Sequence, residues 1–114
     1  PIEFAALTAI HYVHRLMAYA VFALIGLLAW QLLRQAPALR AQAHWLIGLA
    51  LLQLATGLGN VLLGWPLVAA LLHTGGAAAL AVVLTWTLCE SRRAQATVPA
   101  RRAAGLAAGK VVEP

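Results

Sequence analysis

Apolar residues in this chain run in blocks too long for an ordinary strand or a surface helix. Three such blocks cover about residues 10–33 (IHYVHRLMAYAVFALIGLLAWQLL), 43–63 (AHWLIGLALLQLATGLGNVLL) and 67–89 (LVAALLHTGGAAALAVVLTWTLC). Each has the roughly twenty residues a helix needs to cross the ~30 Å hydrocarbon layer of a bilayer. The pattern predicts an all-α transmembrane bundle with three spanning helices, at about 8–34, 43–63 and 67–90, so that residues 1–93 form one membrane region. Pro37 should end the first helix, because proline has no amide hydrogen and its ring disfavours continuation. Gly64-Trp65-Pro66 reads as a tight turn, with glycine free to take unusual backbone angles and proline suited to the first turn of the next helix. So short a connection makes the second and third helices antiparallel neighbours. Residues 94–114 (AQATVPARRAAGLAAGKVVEP) have little apolar periodicity and several Ala, Gly and Pro, and read as a flexible basic tail held near anionic headgroups.

Composition agrees with a membrane solvent. Apolar residues make up 63% of the 114 and charged residues 10%, whereas about a quarter of a soluble domain is charged. The first block is too long for a signal peptide, and no small-residue cleavage site follows it. The net charge of +5 does not describe a nucleic-acid face, because the basic residues sort by membrane side. Arg34, Arg40, Arg92, Arg93, Arg101, Arg102 and Lys110 share one side, and Arg15 alone lies at the other. The positive-inside rule then puts the first loop and the C-terminal tail in the cytoplasm, with the N-terminus and the Trp65-Pro66 loop outward. Trp30, Trp45, Trp65 and Trp86 fall near the expected boundaries, as an aromatic belt does. Cys89 has no cysteine partner and reads as a packing residue. The chain starts at Pro1 without an initiator methionine, which suggests processing or truncation.

Against this background two histidines stand out. His14 lies twenty residues before Arg34, and His73 nineteen before Arg92. Since twenty helical residues rise about 30 Å, both imidazoles sit at one depth near the outer face. Two level imidazoles on different spans are what a bis-histidine heme requires. Arg15, adjacent to His14, could pair with heme propionates; alternatively His14 and Arg15 anchor the helix end in the headgroups. Around His73 the run Thr74, Gly75, Gly76, Ala77, Ala78, Ala79 leaves room for a flat macrocycle, or equally permits close helix packing. Asn60 reaches the same outer level and could orient a ligand or propionate through its amide, or simply cap the helix. Gln53, at mid-span, suits an interhelical hydrogen bond. His11 shares a face with His14 one turn further out and reads as solvated, or alternatively as a group that contacts propionates, relays protons or substitutes as ligand, while His44 beside Trp45 reads as an interface residue. Phosphate loops, CxxC pairs, Ser-His-Asp sets and paired carboxylates are all absent, which argues against nucleophilic or acid–base hydrolysis.

The segments IHYVHRLMAY and LQLATGLGNVLLGWPLVAALLHTGGAAAL together resemble the C-terminal half of bacterial heme A synthase. The linked features are His-Arg early in one span, a Gly-x-x-Asn-Val element running into Leu-Gly-Trp-Pro-Leu, and a histidine seven residues after that proline. The resemblance covers about residues 8–93. It implies an eight-helix protein of two four-helix halves in the bacterial cytoplasmic (inner) membrane. It implies oxidation of the C8 methyl of heme O toward the formyl group of heme A, with heme O bound in the N-terminal half. By the same resemblance His14 and His73 are axial ligands to the iron of a heme b, with Arg15 and Asn60 as further cofactor-binding residues. Catalytic residues are not assigned. The N-terminal half and the first helix of the C-terminal half have no counterpart in these 114 residues, so heme O and heme A belong as substrate and product to the missing half. Partners on this reading are the lipid bilayer and a second copy or a heme O synthase. The rival readings are a non-catalytic membrane subunit, whose polar residues serve helix association, and a b-type cytochrome electron-transfer module.

Overall fold

A computed structural model describes residues 3–64 and 66–111. They fold into three α-helices: α1, Phe4–Gln35; α2, Arg40–Leu62; and α3, Pro66–Val111. A single 3-10 turn, Pro37–Leu39, joins α1 to α2, with the Ala36 and Leu39 amides bonded back to Leu32 and Ala36. Proline therefore ends α1 where its chemistry requires. At the other turn Gly64 has φ of 61°, a left-handed backbone that glycine adopts without a Cβ clash. Trp65 lies outside the described residues. All three helices are long and apolar enough to cross a membrane. The chain is an all-α membrane protein.

The middle helix organises the bundle. It packs against both neighbours, whereas no Cα of α1 comes within 8 Å of one in α3. On α2 the inward residues are Gln42, Ala43, Leu46, Gln53 and Thr56, which recur at helical spacing on one stripe. On α3 the matching stripe is Ala69, Gly76, Leu80, Val83 and Thr87, with His73 half-buried among them. Ile25, Leu46, Leu80 and Val83 form the central cluster, flanked by Leu28, Leu32, Leu49 and Ala50. Little else is covered. Only 17%, 17% and 22% of the apolar windows of the three helices are buried, so most of their surface must face lipid or further helices. Helical hydroxyls are satisfied locally: Thr85 donates to the Ala81 carbonyl at 2.8 Å and Thr87 to Val83 at 2.8 Å.

The third helix departs from expectation. Instead of ending near residue 90, it continues unbroken to Val111 and carries Pro99 in its interior. The sequence 94–111 is rich in alanine with arginine, glutamine and leucine, all good helix formers, and no stop signal is strong enough to interrupt it. Pro99 removes one backbone hydrogen bond, but its surroundings are exposed and the freed carbonyl can be solvated. Forty-six residues span about 69 Å, which accounts for most of the 83 Å long axis of the molecule.

The packing makes a sharp distinction between leucines on one helix. Leu46 is fully buried and Leu51 is 61% exposed. Leu46→Ala leaves a void between α2 and its neighbours and is expected to cost about 2–3 kcal/mol, whereas a substitution as exposed as Leu51→Ala should stay within about 0.5 kcal/mol. Thermal unfolding in detergent, followed by circular dichroism, checks the difference.

Candidate functional site

The two histidines singled out by depth meet at the end of the bundle that carries the Gly64 turn. His14 lies in the third turn of α1, four residues before Ala18 and eleven before Ile25, on the face that turns inward lower down. His73 lies early in α3, on the stripe that packs against α2. Their ring centroids are 6.2 Å apart and their planes cross at 68°. The backbones of α1 and α3 stand apart, with no Cα pair within 8 Å, and the two imidazoles reach toward each other across that separation.

His73 is held from α2 at two points. Its Nδ1 is 3.1 Å from Thr56 Oγ1, and its backbone carbonyl accepts a 3.0 Å hydrogen bond from Gln53 Nε2. The expected interhelical role of Gln53 is thus what the fold uses. Gly76 makes it possible: a Cβ there would collide with the Gln53 amide. This glycine therefore serves close packing and leaves no room for a macrocycle, while Gly75 faces open space on the exposed side of α3. Gly57 comes near the ring from α2, where a Cβ would lie 3.7 Å from His73 Cε1.

The other candidates are less constrained. His14 is exposed and makes no side-chain hydrogen bond among the described residues. Arg15 and His11 are exposed on α1, as is His44 on α2. Asn60 is exposed four residues beyond Thr56, on the same face of α2 one turn outward. It sits inside the last turns of the helix and bonds to neither histidine among the described residues. Trp30 and Trp45 are exposed near helix ends and Trp86 is exposed near the middle of α3, while Arg34 lies 5.1 Å above the Trp30 ring.

What such a pair could hold follows from its donor set. No third His, Cys, Asp or Glu joins the two imidazoles among the described residues. A bare metal ion usually takes three or four protein ligands, but heme iron brings four nitrogens of its own and asks the protein for two. Two metal–imidazole bonds of about 2 Å, with roughly 1 Å from each ring centre to its nitrogen, place the centroids about 6 Å apart. By donor count and ring separation the pair suits a heme rather than a bare ion.

Residues 3–104 match the family described as cytochrome oxidase assembly protein. The chain belongs to the heme A synthase family. Over 83 residues it is 37% identical to the heme A synthase of Shewanella oneidensis, a match covering 73% of this chain and 25% of that protein. This heme A synthase family chain thus spans about a quarter of the length of the curated relative. No solved structure matches it.

Thr56 escaped sequence reasoning, although a signal for it exists. Thr56 and His73 are each eight residues from the Gly64–Trp65 bond, and Gln53 and Gly76 are each eleven. A tight antiparallel hairpin pairs residues equidistant from its turn. Gly76→Ala should force the Gln53 amide away from His73 and cost about 1–2 kcal/mol. Gly75→Ala, in open space on a helix, should be neutral or slightly stabilising. Comparing the two unfolding curves with that of the parent chain tests this.

Proposed function

We propose that the chain is the heme-binding portion of a heme A synthase, with His14 and His73 as the two axial ligands of a heme b. The observation that carries the reading is the 6.2 Å separation of two imidazoles drawn from helices that otherwise stand apart. Arg15, beside His14, would pair with propionates at the outer face, and Asn60, one turn outward of Thr56, would orient a propionate through its amide. The basic residues after Arg34 set the orientation: first loop and C-terminal end in the cytoplasm of a bacterial inner membrane, heme site outward.

When bound, the heme would supply one-electron transfer or structural support to the oxidation of the heme O C8 methyl in the other half of a longer protein. This chain's residues contribute positioning. Thr56 and Gln53 hold His73 against α2, and α1 carries His14 to it. The missing helices, contributed by the remainder of the polypeptide or by a second copy, would cover the exposed faces, and a heme O synthase would deliver the substrate.

Hemin titration into the detergent-purified chain tests the reading through the optical spectrum. The parent chain should give a six-coordinate, low-spin species. Because His73 is fixed at two points and His14 at none, the variants should differ. His14→Ala should retain a five-coordinate heme, and His73→Ala should retain at least tenfold less. A low-spin spectrum surviving in both variants would contradict the assignment.

A further inference from the structure

Histidine has two ring nitrogens, and the surroundings of one decide which is free for a metal. In His73 the Nδ1 side faces Thr56, whose hydroxyl has one proton to give and two lone pairs. That Oγ1 lies 2.9 Å from the Leu52 carbonyl and 3.2 Å from the Gln53 carbonyl, both of its own helix. Carbonyl oxygens only accept, and a helical threonine ordinarily gives its proton to the carbonyl four residues back. With the proton directed to Leu52, a lone pair remains for Nδ1, and the imidazole must be the donor. A neutral imidazole carries a single N–H, so Nε2 keeps its lone pair.

We propose that Thr56 is the positioning residue of the heme site: its hydroxyl accepts the Nδ1–H of His73 and fixes Nε2 as the coordinating nitrogen. The assignment rests on the heme reading above. Three features of the site support it. Thr56 is 7% exposed, so water does not compete for the bond. Its branched Cβ restricts the side-chain rotamer, which keeps the hydroxyl aimed across the α2–α3 seam. Gln53, one turn away on the same face, holds the His73 carbonyl, so ring and main chain are fixed from a single helix. An acceptor on Nδ1–H also raises the electron density at Nε2, which strengthens donation to ferric iron.

Nitrogen-15 NMR of the histidine-labelled chain in micelles without heme reads the tautomer directly. Expected is a His73 protonated at Nδ1 and unprotonated at Nε2, changing to a mixture in Thr56→Val and restored in Thr56→Ser. In the heme-loaded chain Thr56→Val should loosen heme about tenfold and raise the midpoint potential, with Thr56→Ser close to the parent. A parent chain protonated at Nε2 overturns the proposal, as does a Thr56→Val variant with unchanged tautomer and potential. The parent measurement needs no variant to fold. Absence of heme uptake with the Nδ1–H tautomer intact supports the hydrogen bond and overturns the heme reading, so the two failures are distinguishable.

Discussion

Contact between α2 and α3 across Gly76 is the constraint on which the rest depends. Without a side chain at that position the Gln53 amide enters the seam and bonds the His73 carbonyl, and Thr56 comes level with the imidazole. In a bilayer apolar burial does little to hold helices together, since lipid is as apolar as leucine. Close packing and hydrogen bonds across the seam take over that role. The same two bonds that align the helices therefore also fix the His73 imidazole and its main chain. Structure and site share residues here.

The consequence is an asymmetric pair. His73 is prepared by α2, while His14 arrives on α1, a helix that touches α2 and never approaches the α3 backbone. In such an arrangement the two imidazoles approach each other although their backbones do not. The arrangement also leaves large apolar surfaces uncovered on every helix, consistent with a chain that matches only a quarter of its curated relative.

Much of this was legible in the sequence, and for definite reasons. Hydrophobic length gave the three spans, Pro37 and Gly64 gave the turns, and counting residues from Arg34 and Arg92 put His14 and His73 level. Equal depth allows the two rings to meet, and their 6.2 Å separation shows that they do. Two features were hidden. The continuation of α3 to Val111 turns on the balance between alanine-rich helix propensity and the loss at Pro99, which composition alone misjudges. Thr56 is an ordinary residue on an apolar helix until the hairpin register sets it against His73. Gly75-Gly76 likewise looked like a single patch, although only Gly76 faces the α2 seam and Gly75 looks into open space.

The central claim is that His14 and His73 share one iron in the geometry the fold gives them. Electron paramagnetic resonance of the ferric heme-loaded chain tests it most directly. Imidazole planes crossed at 68° should yield a single low-spin signal of strong g anisotropy. A high-spin signal, or the moderate anisotropy of parallel imidazole planes, would contradict the account.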